Sequence, residues 1–364
     1  MSTTNGRKIL VIGGAGFIGS NLVERLLQRA DTQVCVYDNL SRQGAHDNLR
    51  WLYSLPGNKQ LEFIENDVRD ARAVWEAAQH ADEIYHFAAQ VAVTTSVAAP
   101  REDFEVNAIG TFNVLEAARQ SGRRPFVLFT STNKVYGSLE GVPVAASALR
   151  YHAADPAFAG VQETELLDFH SPYGCSKGAA DQYVRDYARI YQIPTVVFRM
   201  SCIAGPRQFG TEDQGWVAHF LYSALEGRAI TIYGDGRQVR DVLHVYDLVD
   251  AMLSVHACRE RVAGGVYNLG GGPGRSTSIL ELLQLIEKQT GMTPQVRYSN
   301  VRPGDQPLYI SDTGKLSLHT GWSARYSLER TVESLHNFWL DNRPMLESHR
   351  FSTEQVSLLH EEVA

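Results

Sequence analysis

Short apolar runs alternate with longer amphipathic segments through about the first two hundred of the chain's 364 residues. Apolar runs of about five residues are typical of buried parallel strands, and apolar positions at helical spacing predict helices. The predicted strands are residues 8–12, 33–37, 61–65, 83–87, 126–130 and 195–199. The predicted helices are residues 21–27, 71–79, 100–121 and 172–191. This alternation predicts an α/β fold with a doubly wound parallel sheet.

A glycine-rich loop lies between the first predicted strand and the first predicted helix. It reads Gly13-Gly14-Ala15-Gly16-Phe17-Ile18-Gly19, which matches G-x-x-G-x-x-G from Gly13 or G-x-G-x-x-G from Gly14. Such glycines let the backbone approach a pyrophosphate, and the helix N-terminus favours its negative charge. Asp38 ends the second strand about twenty residues later, where a carboxylate binds the adenosine ribose and disfavours a 2′-phosphate. The loop therefore predicts a Rossmann-type fold that binds NAD, although Arg42 would suit NADP.

The pattern changes near residue 200, where loops rich in glycine, proline, glutamine and arginine separate shorter elements. We interpret residues 1–200 as the NAD-binding domain, which residues 241–256 are predicted to rejoin. Residues 201–342 are interpreted mainly as a smaller C-terminal substrate-binding lobe. The last segment, residues 343–364, is polar and is interpreted as a tail.

Composition narrows the classes of partner. The net charge is −7 and there is no long basic run, which argues against nucleic acid and membrane surfaces as partners. The start has no apolar signal core and no stretch is long enough to span a bilayer, so we expect a cytoplasmic protein. Four cysteines, at positions 35, 175, 202 and 258, are scattered without C-x-x-C spacing. We therefore predict neither a metal site nor a disulfide.

Tyr173 and Lys177 are the strongest catalytic candidates, in the run Ser171-Pro172-Tyr173-Gly174-Cys175-Ser176-Lys177. On a helix, a spacing of four residues puts the phenol and the ammonium on one face. Ser171 suits the cap of that helix and Pro172 suits its first turn. A nearby cation favours phenolate, and a pKa lowered by about three from its usual value of about 10 would make Tyr173 a general base. We predict that Tyr173 moves a proton while the cofactor moves a hydride, and that Lys177 holds the nicotinamide ribose.

Two further polar residues are candidates for the same site. Thr132 comes at the end of the strand predicted at 126–130, where its hydroxyl can share a proton with substrate and Tyr173. The alternative role for Thr132 is a strand-terminal cap. Asn107 lies within the helix predicted at 100–121, where it either bridges backbone groups near the site or marks a kink in the helix.

Loop arginines in the smaller lobe form a second group of candidates. Arg207, Arg237, Arg240 and Arg302 follow or precede glycine, proline or aspartate residues. Guanidinium suits bidentate contact with phosphate, so these residues predict a site for an anion. The alternative is that they are solvated surface residues, and this alternative is strongest for Arg237.

These motifs together resemble the extended short-chain dehydrogenase/reductase family, in particular its nucleotide-sugar epimerases and dehydratases, over about residues 7–340. The segments that resemble motifs of this family are residues 13–19, 38–41, 67–68 and 86–89, Asn107, Tyr173 with Lys177, and residues 240–242. Residues 130–137, 167–182 and 207–217 are similar to the family's 2-epimerases of CDP-linked 3,6-dideoxyhexoses. The resemblance implies that Thr132, Tyr173 and Lys177 are catalytic.

The same resemblance implies two sets of binding residues. Those expected to contact NAD are Gly13, Gly16, Phe17, Ile18, Gly19, Asp38, Asn39, Ser41, Arg42, Asp67, Val68, Phe87, Ala88, Ala89, Gln90, Asn107, Ser131, Tyr173 and Lys177. Those expected to contact the substrate are Gln90, Thr132, Asn133, Lys134, Ser201, Arg207, Gln208, Val217, Tyr233, Arg240 and Arg302. The helices at 100–121 and 172–191 are expected to pair across a two-fold axis, giving a homodimer or a higher homo-oligomer.

The implied reaction is reversible inversion at C2 of a CDP-3,6-dideoxyhexose, between CDP-paratose and CDP-tyvelose, through a transient 2-keto sugar. Dehydratases of the family carry Asp-Glu after the catalytic Thr, whereas this chain has Asn133 and Lys134. This difference argues against 4,6-dehydration, because elimination of water needs an acid and a base. The alternative enzyme is a UDP-glucose or UDP-glucuronate 4-epimerase. The alternative from another class is an NAD-binding sensor or scaffold on the same fold.

Overall fold

The chain folds around a seven-stranded sheet in which every neighbouring pair of strands is parallel. The structure is a computed structural model that describes residues 6–302 and 305–361, with side chains as far as residue 349. In chain order its strands are β1 (Arg7–Ile12), β2 (Thr32–Asp38), β3 (Leu61–Glu65), β4 (Glu83–His86), β5 (Phe126–Thr132), β6 (Val144–Ala146), β7 (Tyr151–Ala153), β8 (Thr195–Met200), β9 (Cys202–Ala204), β10 (Ile230–Tyr233), β11 (Val239–His244), β12 (Gly265–Leu269), β13 (Ser276–Ser278), β14 (Val296–Ser299) and β15 (Leu308–Tyr309). The central sheet has the order β12-β8-β5-β4-β1-β2-β3.

Helices lie on both faces of this sheet and around the smaller lobe. In chain order they are α1 (Phe17–Leu27), α2 (Ala45–Ser54), α3 (Ala71–Ala78), α4 (Val93–Ala98), α5 (Pro100–Phe104), α6 (Gly110–Gln120), α7 (Ser171–Tyr191), α8 (Trp216–Leu225), α9 (Val245–Ala257), α10 (Arg259–Val262), α11 (Ile279–Thr290), α12 (Gly314–Thr320) and α13 (Leu328–Glu361). Short 3₁₀ turns occur at Asn58–Gln60, Asn133–Tyr136 and Pro273–Arg275, and a π-helical turn at Glu105–Ile109.

Helices bury both faces of the sheet, which explains why its strands are almost unbroken runs of apolar residues. Ile9 and Val11 of β1 pack into the core that contains α1 and α9. Leu10 and Ile12 pack into the opposite core, which contains α3, α6 and α7. Successive strand residues point to opposite faces, so four consecutive apolar residues supply both cores. The predicted doubly wound parallel sheet is confirmed.

Two regions differ from the predicted elements. The helix predicted at 100–121 is divided into α5 and α6 by the π-helical turn Glu105–Ile109. Of the segment predicted to rejoin the sheet, α9 packs on the core beside α1, whereas β11 pairs with strands of the smaller lobe. The strand that does rejoin the central sheet is β12, which the sequence prediction missed. The domain boundaries themselves stay a prediction.

The smaller lobe grows from the edge of the central sheet where ligands are expected. Strand β9 begins directly beyond the end of β8 and pairs with β11, which also pairs with β13 and β15. Strands β10 and β14 form a separate parallel pair. Leu221 of α8, Leu282 of α11 and Leu335 of α13 share the core that holds this lobe together. The lobe is therefore placed to close over the carboxyl ends of the main strands.

The chain packs against the lobe just after residue 342. Residues 343–364, interpreted above as a polar tail, are helical as far as Glu361. Asn342 leaves helical geometry at φ −127°, so Pro344 lies in the first turn after the break, where a missing N–H removes no helical hydrogen bond. Beyond the break Leu346 is only 2% exposed, and His349 contacts Asp47 of α2. The start of this segment is thus part of the packed structure, and residues 362–364 lie outside the described residues.

Within residues 6–302 and 305–361, no helix combines the length and the apolarity that crossing a membrane requires. The same part of the chain contains no group of three or more His, Cys, Asp or Glu side chains arranged to hold a metal ion.

Candidate active site

The carboxyl ends of β5, β4, β1 and β2 lie side by side at one edge of the central sheet. Predicted site residues occupy all four ends. Ser131 and Thr132 end β5, residues 87–90 follow β4, the glycine loop follows β1, and Asp38 ends β2. Parallel pairing thus gathers segments that are far apart in sequence into one site.

The glycine loop is packed so closely that the fold excludes a side chain at two of its positions. A Cβ atom on Gly13, whose φ is +81°, would lie 2.6 Å from the Ala88 backbone nitrogen, and one on Gly19 would lie 2.2 Å from the Gly13 carbonyl oxygen. Gly16 differs, because its φ is −70° and a Cβ there would meet only the Gly13 oxygen, at 3.2 Å. The missing side chain at Gly16 therefore leaves room mainly in front of α1. That helix has no side-chain cap and no acidic residue in its first turn, so its first N–H groups are available to bind an anion.

The carboxylate of Asp38 is fixed against this loop. Its two oxygens accept hydrogen bonds from the backbone N–H groups of Ala15, at 3.0 Å, and Leu40, at 2.9 Å. Burial raises the pKa of Asp38, and these backbone hydrogen bonds oppose the rise. Arg42 faces the loop after β4, where it donates to the Ala89 carbonyl oxygen at 3.3 Å. An acceptor-only carboxylate beside an open helix N-terminus fits a dinucleotide with a free ribose diol, and so fits NAD.

Four more of the predicted cofactor residues lie in the loops after β2 and β3. Asn39 donates to Asp67 at 2.8 Å, and the Ser41 hydroxyl donates to Asn39 at 2.7 Å. Asp67 also accepts three hydrogen bonds from Arg69, two from its side chain and one from its backbone N–H, and these bonds together with that from Asn39 lower the pKa of Asp67 to about 2. Val68 is buried against α6. The charge of Asp67 is therefore engaged within the protein.

The remaining cofactor candidates line the same edge. Phe17 and Ile18 open α1, and the N–H groups of Phe87 and Ala88 both donate to the carbonyl oxygen of the last residue of β1. Among the described residues, the buried Ser131 hydroxyl at the end of β5 has no hydrogen-bond partner. An unpaired buried hydroxyl at this edge fits a polar ligand there.

Asn107 joins the loop after β4 to α7. Its side chain accepts from the Gln90 N–H at 2.9 Å and donates to the Gln90 carbonyl oxygen at 3.0 Å and to Ser176 at 3.1 Å. It lies in the π-helical turn, an irregularity frequent at functional sites. Both roles considered for Asn107, the backbone bridge and the helix irregularity, occur together.

Thr132, Tyr173 and Lys177 are brought together where α7 packs on β5. The Thr132 hydroxyl hydrogen-bonds to the Tyr173 phenol, and the Lys177 ammonium lies 4.2 Å from the centre of the Phe129 ring. Ser171, predicted as the cap of α7, is its first residue, and the Ser171 hydroxyl accepts from the Gly174 N–H at 3.2 Å. Ser171 has a φ of +62°, a left-handed conformation that is unusual for a side-chain-bearing residue.

Burial dominates the electrostatics of the pair. It raises the pKa of Tyr173; the Thr132 hydrogen bond and the Arg42 charge oppose this rise, and Asp103 adds to it. Burial lowers the pKa of Lys177 to about 7, against the attraction of Asp103 and Asp181. Both shifts have one cause, because a low dielectric disfavours the charged form of each group. The depression of the Tyr173 pKa expected from Lys177 is therefore not found in this structure, where Thr132 and Arg42 are the groups that lower it and burial prevails.

Sequence reasoning missed two residues that the structure places beside this pair. Asp103 and Ser176 are both buried, and Ser176 donates to Asp103 at 2.5 Å. The sequence could have indicated both residues, since Asp103 precedes Asn107 by four residues and Ser176 directly precedes Lys177. Helical spacing would have placed Asp103 on the face that carries Asn107.

Residues after Thr132 connect the site to the smaller lobe. Asn133 donates to Gln306 at 3.0 Å. Lys134 lies 3.6 Å from an Asp305 oxygen to which Arg240 also donates, at 2.7 Å. Burial, and then the Arg240 charge, lower the pKa of Lys134 to about 8. Two cations thus share one carboxylate directly beyond the end of β5.

Arg302 lies in the same lobe. Its guanidinium is 3.8 Å from the centre of the Tyr233 ring, and one guanidinium nitrogen is 3.6 Å from a carboxylate oxygen of Asp213. The Tyr233 hydroxyl donates to Glu212 at 2.6 Å. Arg237 pairs loosely with its neighbour Asp235, at 3.8 Å, as a surface arginine would.

Arg207 is placed differently from the other predicted arginines. Its guanidinium stacks 3.9 Å above the Trp51 ring of α2 and also faces Phe338 of α13. Its backbone has a φ of +69°, which turns the side chain of this loop residue toward those rings. The structure therefore gives Arg207 a packing contact between α2 and α13 and no contact with Arg240 or Arg302.

Three other predicted substrate residues support the walls of the lobe. The Ser201 hydroxyl donates to the Asp241 carbonyl oxygen at 3.0 Å, and the Gln208 amide donates to the Ile203 carbonyl oxygen at 3.1 Å. Val217 is 2% exposed in the core of the lobe. All of the site residues named above stay predictions of contact with cofactor or substrate.

Comparison with known proteins agrees with this geometry. The family described as GDP-mannose 4,6 dehydratase matches residues 10–335. CDP-paratose 2-epimerase of Salmonella typhi is 43% identical over 91% of this chain and 98% of its own length. The structure of UDP-glucose 4-epimerase from Thermotoga maritima with UDP-glucose is 31% identical, with a TM-score of 0.78 over 92% of this chain and 99% of that one. UDP-glucuronic acid 4-epimerase from Bacillus cereus, solved with UDP-glucuronic acid and NAD, is 27% identical, with a TM-score of 0.78 over 91% of this chain and 98% of that one.

These similarities span nearly the whole chain, so they concern the sheet, the glycine loop and the smaller lobe together. The predicted NAD cofactor, the epimerase class and the Rossmann-type fold are confirmed, and the alternative of a sensor or scaffold without activity is set aside. The chain belongs to the GDP-mannose 4,6 dehydratase family, the NAD-dependent nucleotide-sugar epimerases and dehydratases of the short-chain dehydrogenase/reductases.

Proposed function

We propose that this enzyme inverts C2 of a CDP-linked 3,6-dideoxyhexose and so interconverts CDP-paratose and CDP-tyvelose. The observation that supports this substrate most strongly is the 43% identity, over 98% of its length, to CDP-paratose 2-epimerase. Asn133 and Lys134 support it independently. Neither side chain is the carboxylic acid or carboxylate that acid–base elimination of water requires at this place beside Thr132.

The chemistry of the sugar explains the need for a redox cofactor. The C2 hydrogen of a pyranose has no neighbouring carbonyl to acidify it, so inversion by direct proton abstraction is not feasible. Bound NAD would supply the hydride acceptor for oxidation at C2 and the hydride donor for reduction from the other face. Gly13, Gly16 and Gly19 with the N-terminus of α1 would hold its pyrophosphate, and Asp38 its adenosine ribose.

Tyr173 performs the proton transfer in this proposal. Its phenolate takes the proton of the C2 hydroxyl and the resulting phenol later gives it back, and the Thr132 hydroxyl donates a hydrogen bond that stabilises the phenolate. The positive charge of Arg42 also lowers the pKa of Tyr173. The nearly complete burial of Tyr173 and Lys177 excludes water from the proton being moved.

The cations of the smaller lobe hold the nucleotide diphosphate in this proposal. In the described part of the chain the ion pairs of Lys134 and Arg240 are with a single carboxylate, that of Asp305, which leaves an excess of positive charge for an anion. A fixed diphosphate allows the sugar to turn between removal and return of the hydride while the substrate stays bound. Arg302 is the third candidate, and its stacking on Tyr233 holds its guanidinium in a defined plane.

The test is proton NMR of purified protein incubated with CDP-paratose, without added NAD. We expect CDP-tyvelose to appear, because the proposed cofactor is regenerated in every turnover. In the Tyr173→Phe variant we expect at least a thousandfold lower turnover, with NAD content unchanged. Turnover of UDP-glucose or UDP-glucuronate in place of CDP-paratose would favour the 4-epimerase alternative, which the similarity to the Thermotoga maritima structure supports.

We also propose that two copies pair through α6 and α7. Phe112 of α6 and Tyr183 of α7 contact each other edge to face, yet they are 40% and 52% exposed. Phe104 and Ile190 add further exposed apolar area on the same pair of helices and on α5. An apolar surface of this kind is typical of a protein–protein interface.

A further inference from the structure

Asp103 is a buried acid that the proposed reaction does not use. It is 1% exposed, in α5 where that helix packs against α7. Its carboxylate accepts hydrogen bonds from Ser176, at 2.5 Å, and from the Asn107 amide, at 3.1 Å. In the described part of the chain no lysine, arginine or histidine forms an ion pair with it. Its buried negative charge is therefore not neutralised by a direct partner.

The other charged groups around Tyr173 and Lys177 are engaged or neutral. Asp181, on α7, is bound by two nitrogens of the buried Arg199 at 2.9 and 3.0 Å. His86, facing from β4, is fully buried, and burial together with Lys177 lowers its pKa to about 3, so it is uncharged. Arg42 faces Tyr173 from the loop after β2. Asp103 is thus the uncompensated negative charge beside the pair.

We propose that Asp103 is a positioning residue for the reaction, which fixes Ser176 and Asn107 and sets the charge state of the Tyr173–Lys177 pair. This inference rests on the proton-transfer role proposed for Tyr173 and Lys177. Through Asn107, the same carboxylate is connected to the backbone of Gln90 in the loop after β4. One buried acid therefore links the proton-transfer pair to the predicted cofactor loop.

The sign of the effect follows from electrostatics. A neighbouring negative charge stabilises an ammonium and destabilises a phenolate, so Asp103 raises the pKa of both Lys177 and Tyr173. Asp103→Asn removes the charge with little change in shape and lowers both values. The proposed active form needs a Tyr173 phenolate and a Lys177 ammonium, so the two limbs of the pH–kcat profile follow these two pKa values and both move to lower pH. We expect a movement on the order of one pH unit for a buried charge at close range.

The first experiment is the pH dependence of kcat for the NAD-containing wild type, Asp103→Asn and Asp103→Glu, with Glu102→Gln as control. Glu102 is the exposed acid one position away and acts on Arg42 but not directly on Tyr173 or Lys177, so its neutralisation should move both limbs much less than Asp103→Asn does. We expect Asp103→Asn to move both limbs down and Asp103→Glu to restore them at least in part. Limbs that stay in place in Asp103→Asn while kcat falls would show a purely structural role and overturn the proposal. Identical profiles for the Asn and Glu variants would also overturn it.

A second readout does not depend on activity. The ultraviolet difference titration of each protein against its Tyr173→Phe counterpart isolates ionisation of the Tyr173 phenol. We expect the midpoint to fall in Asp103→Asn, and an unmoved midpoint would overturn the proposal even if the enzyme's substrate is another nucleotide sugar. If Asp103→Asn does not fold, Asp103→Ser, which also removes the charge, replaces it. The Tyr173 midpoint should again fall, and an unchanged midpoint again contradicts the proposal.

Discussion

Gly13→Ala tests whether the glycine loop is required by the fold itself. At Gly13 the backbone has a φ of +81°, which costs an alanine about 1–2 kcal/mol. Its Cβ would lie 2.6 Å from the Ala88 nitrogen, well inside van der Waals contact. That nitrogen belongs to backbone that is hydrogen-bonded to β1 at 3.1 Å, so it cannot rotate away as a side chain would. Overpacking of this kind adds about 1–3 kcal/mol.

The two effects together predict a loss of about 2–5 kcal/mol in the free energy of unfolding. A total stability of about 5–15 kcal/mol is usual for a domain, so this loss is large enough to measure in urea. Gly122→Ala is the matched control, because Gly122 also has a positive φ, +66°, but a Cβ atom on it would meet no described atom within 4 Å. It should lose only the backbone contribution, about 1–2 kcal/mol. Both variants are compared after removal of bound nucleotide, because a ligand would add its own stabilisation.

Gly16→Ala gives the contrast within the same loop. Its φ is −70° and the nearest contact of a Cβ is 3.2 Å, so we expect little change in stability and a clear loss of retained NAD. Equal stabilities for Gly13→Ala and Gly122→Ala would refute the argument from close packing. A Gly16→Ala protein that retains NAD as well as the wild type would refute the argument that Gly16 leaves room for the pyrophosphate.

Three further predictions concern other parts of the molecule. Asp181→Asn leaves Arg199 buried without its counter-ion and should cost about 3–5 kcal/mol of stability, and an unchanged melting temperature would contradict this. Lys134→Met should raise the KM for the nucleotide sugar several-fold with NAD content unchanged, and an unchanged KM would remove Lys134 from the binding site. Phe112→Glu should produce monomers in size-exclusion chromatography with light scattering, if α6 and α7 pair between two copies, and an unchanged elution would exclude that interface.

The features predicted well from sequence are those that depend on neighbours along the chain. Tyr173 and Lys177 share one helix, so their spacing alone placed them on one face. The contacts of Asp103 with Ser176 join residues 73 positions apart and depend on how α5 packs against α7, which no local pattern encodes. Arg207 shows the same limit, because its positive φ and the ring of Trp51 decide where its guanidinium lies. The return of β12 to the central sheet is likewise a consequence of tertiary packing, since its five residues resemble any short strand.

The electrostatics of the site suit a reaction that must run in both directions. The proposed epimerisation takes a proton from the sugar hydroxyl and gives it back, so the Tyr173 phenolate must be stable enough to form and still basic enough to take up the proton. Burial and Asp103 favour the phenol, while Thr132 and Arg42 favour the phenolate. If the phenolate were much more stable, Tyr173 would not remove the sugar hydroxyl proton readily. If burial acted without opposing charges, the phenolate that must accept that proton would not form. Opposing influences on one phenol therefore serve a reversible proton transfer better than a single strong activating cation would.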